Sequence, residues 1–139
     1  MTGAAERYRA FLESLSPADL MHLEKYVSKD VHFQDPLNDV NGVEAMRKVF
    51  LHMYDTVGPV TFTVLHAASD ADTCLMSWRF SANLRGSPWN FEGTSVVQFN
   101  PEGQVLAHTD YWDAAGSLYE KFPIIGGLLR WLRRMSAAR

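Results

Sequence analysis

Near the end of this 139-residue chain, His108, Asp110 and Trp112 alternate with Ala107, Thr109 and Tyr111. If the segment is extended, a period of two puts the imidazole, the carboxylate and the indole on one face. A histidine beside a carboxylate can carry a proton near neutral pH; the same histidine could instead sit wet at a strand entrance. Asp35 stands before Pro36 at the end of Val31-His32-Phe33-Gln34. An Asp-Pro pair starts turns, and a carboxylate placed in an apolar hollow would have its pKa raised, which suits a general base. His22, His32, His52 and His66 show no ligand spacing with carboxylates, so no metal is expected, and no motif calls for a cofactor. Gly126-Gly127 lacks the Lys-Ser/Thr of a phosphate loop, and no nucleophile elbow occurs.

Composition narrows the classes further. Thirteen Lys and Arg against sixteen Asp and Glu give a net charge of −3, a mildly acidic balance rather than the clustered basic surplus that nucleic acid needs. Hydrophobic residues make up 47% and aromatic residues 12%, ample for a core and against disorder. No apolar run approaches the ~18 residues of a membrane span. Cys74 is the single cysteine, so no internal disulfide can form. The start, Met1 to Arg7, has neither the basic residues nor the apolar run of a signal peptide, and a cytoplasmic location is expected.

The elements that must position these groups are readable from period. Tyr8, Phe11, Leu12 and Leu15 fall on one helical face. Ser16-Pro17-Ala18-Asp19 starts a second helix with a stripe of Leu20, Leu23 and Val27. Val31 to Asp35 reads as a short strand. Asn41 and Glu44, three apart, predict a capping box for a third helix that buries Val43, Met46, Val49, Phe50, Met53 and Val57 and stops at Gly58-Pro59. Alternation then predicts strands at Val60–Val64, Cys74–Leu84, Trp89–Phe99 and Gln104–Asp113, joined by turns at Ser69–Asp72, Arg85–Pro88 and Asn100–Gly103. Helices followed by a run of strands imply an α+β fold, a curved antiparallel sheet forming a cone covered by about three N-terminal helices. Residues 1–139 read as a single domain with residues 114–139 as a C-terminal helical extension. The cone's mouth is a natural apolar pocket.

Two pieces, in this order, resemble the nuclear transport factor 2-like superfamily: Val31-His32-Phe33-Gln34-Asp35-Pro36 ahead of a capped helix, and Asn100-Pro101-Glu102-Gly103-Gln104-Val105 leading into Thr109-Asp110-Tyr111-Trp112-Asp113. That group includes ketosteroid isomerases, limonene-epoxide hydrolases and polyketide-cyclase-like (SnoaL-like) proteins, and the resemblance covers residues 5–115 by element order. Likeness to the isomerases implies that Asp35 is the base that shuttles a proton beside a carbonyl and that Tyr8 donates to the enolate oxygen. Their partner acid is replaced here by Ser95, with Glu92 nearby. Likeness to the epoxide hydrolases implies that Arg79 and Asp110 act together on water and epoxide, with Ser81 in place of the middle acid. That pair could still orient a polar ligand group, or Arg79 could face solvent or a second subunit.

These readings converge on a protein that binds a small apolar organic molecule. The enzymatic expectation is isomerase- or cyclase-type proton transfer by Asp35, assisted by Asp110, His108 and Arg79, with Tyr8, Phe33, Met53, Ser95 and Trp112 against the ligand. The alternatives are a non-catalytic binding or accessory domain and an epoxide hydrolase. A homodimer through the outer sheet face is expected, because the strands look too apolar to leave bare. In the tail, Leu128, Leu129, Trp131, Leu132 and Met135 share one side of a helix running on from Phe122-Pro123, with Arg130, Arg133 and Arg134 toward the other. Such a helix is expected to dock on the domain or across a dimer. At so few residues it is not expected to anchor stably at a membrane without a second signal.

Overall fold

The computed structural model describes residues 3–118 and 123–137. Helix α1 (Gly3–Glu13) buries Ala5, Tyr8, Phe11 and Leu12 along one side and lies against the sheet at β3. A 3-10 segment, Asp19–Lys25, follows; the Asp19 N–H donates to Ser16 Oγ at 3.3 Å. The sheet comprises β1 (Val27–Gln34), β2 (Asp39–Asn41), β3 (Thr61–Asp70), β4 (Thr73–Leu84), β5 (Ser87–Phe99) and β6 (Val105–Trp112), with α2 (Val43–Val57) between β2 and β3. Short α3 (Ala114–Ser117) and then α4 (Pro123–Ser136) complete the order. The expected start of the last helix at Phe122 falls outside the described residues.

The strands form one curved, open sheet in the order β2-β1-β6-β5-β4-β3. Its pairings are antiparallel except that β1 runs parallel to β6, with Phe33 opposite His108 and Gln34 opposite Thr109. The alternation in β4 divides it as its sequence predicts: Cys74, Met76, Trp78 and Phe80 are buried, and Leu75 and Arg79 are exposed. α2 covers the inner face with Met46, Phe50 and Val57 buried.

Some local expectations change. Val27 belongs to β1, not to the preceding helix. The capping box at Asn41 and Glu44 does not form: Asn41 is taken into β2 opposite His32, Gly42 stands at the helix N-cap at φ 95° with no side-chain cap, and the Glu44 carboxylate pairs with Arg47 instead. The β4–β5 turn needs left-handed backbone at two successive residues, Arg85 at φ 53° and Gly86 at φ 79°. This is the twist a two-residue hairpin favours.

Gly93 holds a different constraint. It lies opposite Trp78 across β4 and β5, and the indole lies over it so closely that an added Cβ would stand 2.5 Å from the ring. Trp78 is only 5% exposed and cannot swing aside. Gly93→Ala is expected to destabilise the fold by about 1–3 kcal/mol, the range for overpacking, read by urea denaturation. Unchanged stability would mean that the indole is not clamped there.

Candidate functional site

Register brings the acidic groups together. One step beyond the Gln34–Thr109 pair, Asp35 leaves β1 beside Asp110 on β6. Both carboxylates open into a cavity of about 200 Å³ between α2 and the concave face of the sheet. Phe33 and Met53 line it together with Phe80, Phe91, Trp89 and Trp112. The aromatic wall is continuous, with Phe80 and Phe91 stacked at 4.7 Å and Phe91 and Trp112 also at 4.7 Å between ring centres. Asp35, Asp110 and His52 are the titratable groups among its described lining residues.

Asp110 is held by two hydrogen-bond chains whose directions are fixed by chemistry. An indole N–H can only donate, so Trp78 Nε1 donates to Ser95 Oγ at 2.8 Å, and the Ser95 hydroxyl passes its own proton on to Asp110 Oδ1 at 2.5 Å. On the other side His108 Nε2 donates to the same Oδ1 at 2.6 Å, which leaves Nδ1 to accept from the Tyr8 hydroxyl at 2.7 Å. This assignment gives each side-chain proton of the two chains an acceptor. Burial pushes the Tyr8 phenol well above its usual value, and the charge of Asp110 adds to the effect, in keeping with a hydroxyl that stays protonated and donates. Both chains end on Oδ1.

Asp35 is held differently. Its Oδ1 accepts from the backbone N–H of Leu37 at 2.8 Å and of Asn38 at 2.7 Å, and from Asn38 Nδ2 at 3.1 Å. These donors favour the anion, yet burial outweighs them and, with a smaller push from Asp110, raises the carboxyl above its usual range. Proline after Asp35 keeps the turn tight and frees these N–H groups to fold back onto the carboxylate.

Of the residues expected at the site, Asp35, Asp110, Phe33, Met53 and Trp112 line the cavity. Ser95 and His108 stand behind Asp110, bordering an adjoining void of about 20 Å³. Tyr8 is buried in the core, and its hydroxyl meets His108 rather than the cavity. Arg79 does not join Asp110: β4 alternates, so Arg79 points away from Trp78 and Phe80 to the outer face, where it pairs with Glu92 at 3.0 Å. Glu92, expected near the partner-acid position, is out there with it. Sequence reasoning missed the support that Trp78 gives through Ser95, and the rings of Phe62, Phe80, Trp89 and Phe91 that line the cavity. Their signal was present as inward positions of β3, β4 and β5. Among the described residues no group of three or more His, Cys, Asp or Glu side chains could hold a metal ion.

The family described as the SnoaL-like domain matches residues 8–108. Among solved structures, a nuclear transport factor 2-like protein from Burkholderia pseudomallei is similar with a TM-score of 0.74 at 13% identity, over 84% of this chain and 95% of that one. A protein with a ketosteroid isomerase-like fold from Catenulispora acidiphila gives 0.71 at 15% identity, over 85% and 91%. An epoxide hydrolase of the limonene-epoxide type from M. tuberculosis gives 0.70 at 18% identity, over 95% and 93%. At these identities the likeness shows the fold alone. No curated protein matches the sequence.

The raised Asp35 pKa has a stability consequence with a definite sign. The folded chain holds this proton more tightly than the unfolded chain, so stability falls as pH rises from the ordinary carboxylate value, near 4, through the raised folded-state value. Asparagine keeps an oxygen for the Leu37 and Asn38 N–H groups without the buried charge. Asp35→Asn is therefore expected to melt above wild type at pH 7 and to lose part of the decline between pH 4 and 7. A variant that melts below wild type at pH 7 would contradict this account of the carboxyl's surroundings.

Proposed function

The chain belongs to the SnoaL-like domain family, and we propose that it catalyses proton transfer on a small, largely apolar carbonyl compound held in the aromatic cavity. The observation that carries this reading is the pairing of Asp35 with Asp110 at one end of a space otherwise walled mainly by apolar groups. A carboxylate of raised pKa is a stronger base than a solvated one and can still be regenerated near neutral pH. Asp35 takes a proton from the carbon next to the carbonyl; the electron pair of the broken C–H bond moves into the enolate. The same proton returns from Asp35 to another carbon, which re-forms the carbonyl and restores the carboxylate. Burial keeps the proton affinity of Asp35 high, and Asp110, oriented by His108 and Ser95, adds a smaller push. His52, exposed where it borders the cavity, is one lining group placed to meet the carbonyl oxygen.

The position of Arg79 favours this chemistry over epoxide opening, because the guanidinium is on the opposite face of the sheet from the cavity. A second reading, a non-catalytic binding domain, is favoured by one observation: Asp35 ties down the turn through Leu37 and Asn38, as a purely structural residue would. A homodimer through the outer sheet face is also part of the proposal, supported by the exposure of Leu75, Leu106 and Tyr111 on β4 and β6.

Turnover separates the two readings. With 3-cyclohexen-1-one and other small β,γ-unsaturated ketones as probes, conversion to the conjugated enone is followed by absorbance. Asp35→Asn is expected to lower the rate by about 100-fold or more, the scale of a lost general base, with probe affinity kept within about tenfold. An Asn variant as active as wild type, or binding without turnover across the panel, would leave the binding-domain reading.

A further inference from the structure

We infer that the cavity has a second, inner chamber that takes a one-carbon branch of the ligand, so that the preferred carbonyl compound carries a methyl group on the carbon next to its carbonyl. Behind Asp110 lies the void of about 20 Å³. Leu12 of α1, Val64 of β3 and Met76 of β4 close it, with Ser95 and His108 along one side. Phe50, Phe62, Trp78 and Asp110 line this void and the main cavity alike. These four side chains form the waist between two chambers, and a group that passes Asp110 enters the inner one. The chamber itself stands on the shape of the cavity. The placement of the branch rests on the proton-transfer reading above, whose substrate class it narrows. Asp35 takes its proton from the carbon beside the carbonyl, and Asp35 lies beside Asp110. That carbon is therefore held at the waist, and a substituent on it points through.

The chain keeps this space open by local means. The β3–β4 ladder shifts register between Val64 and His66, and the Val64 N–H donates to Glu13 Oε2 of α1 at 3.0 Å. A bulge re-aims the side chains around it, and here the strand is also tied to the covering helix. Chemistry then chooses the occupant. A space of this volume accepts one group about the size of a water molecule or a methyl. Its wall is apolar apart from Ser95, His108 and Asp110, and the protons on Ser95 Oγ and His108 Nε2 already go to Asp110. The Trp78 N–H goes to Ser95. A water would find no free donor on the described wall, and a buried water makes about three hydrogen bonds. A methyl group needs none and gains the dispersion contacts that an empty wall lacks. Leu12, Val64 and Met76 are all buried in the core, so a larger branch meets packed side chains.

Affinity tests this without turnover, by calorimetric titration of saturated ketones into the wild-type protein. 2-Methylcyclohexanone is expected to bind about tenfold more tightly than cyclohexanone or 4-methylcyclohexanone, the scale of one well-placed carbon. 2-Isopropylcyclohexanone is expected to lose that gain. Val64→Ala, which widens the chamber, should move the optimum to 2-ethylcyclohexanone. Val64→Leu, which fills it, should erase the difference between the 2-methyl and 4-methyl isomers, with circular dichroism checking that both variants fold. Equal affinity of the two isomers for wild type, affinity that climbs smoothly with substituent size, or an unchanged preference in folded Val64 variants would each overturn the inference. So would a crystal structure of the 2-methyl complex with a water, not the methyl, against Val64 and Met76. Branch preference without isomerisation of the unsaturated ketones would leave the chamber and remove catalysis alone. Isomerisation without branch preference would do the reverse, and no ketone binding at all would remove both.

Discussion

The parallel pairing of β1 with β6 is the constraint from which the site follows. Because Phe33 stands opposite His108 and Gln34 opposite Thr109, the chain has no freedom to keep Asp35 away from Asp110 once both strands are in register. Two carboxylates in an apolar hollow repel each other and lose hydration. The fold offsets this with directed donors instead of a buried cation. Asp110 receives the ends of two hydrogen-bond chains, and Asp35 receives the N–H groups of the turn that follows it. The offset is incomplete for Asp35, whose raised pKa records the remaining cost.

The same chains tie the site to the sheet's packing. Trp78 lies over Gly93, donates to Ser95, and so orients Asp110 from behind. A shift of that indole would be felt both in core stability and at the carboxylate. Tyr8 plays the matching part from α1, reaching across 100 residues of sequence to His108. The helical layer is thus more than a cover, since one of its side chains fixes the tautomer of a histidine on the last strand.

Much of this was legible beforehand, for physical reasons that differ by residue. β4 announces itself because Cys74, Met76, Trp78 and Phe80 alternate with polar neighbours, and that alternation already implied that Arg79 faces outward. Resemblance to epoxide hydrolases suggested otherwise, and the strand's parity decides the matter. His108 was readable as a candidate from its period-two spacing to Asp110, whereas Asp35 and Asp110 themselves stood out through the family resemblance. The bond from Tyr8 to His108 was not legible, because nothing local encodes a contact between α1 and β6. Asn41 looked like a helix cap, but backbone pairing with His32 in β2 takes priority over a side-chain cap. The pattern of α4 shows that it has an apolar face without showing what covers it; only the packing of Gly126 and α3 reveals that the face is turned outward.

The central claim, that Asp35 is a desolvated carboxylate under the influence of Asp110, can be measured atom by atom. Titration of the Asp35 carboxyl carbon by NMR should give a midpoint above that of a solvated aspartate. In Asp110→Asn it should move down while staying raised, since burial is the larger cause and the neighbouring charge the smaller. A wild-type midpoint at or below the solvated value would contradict the account.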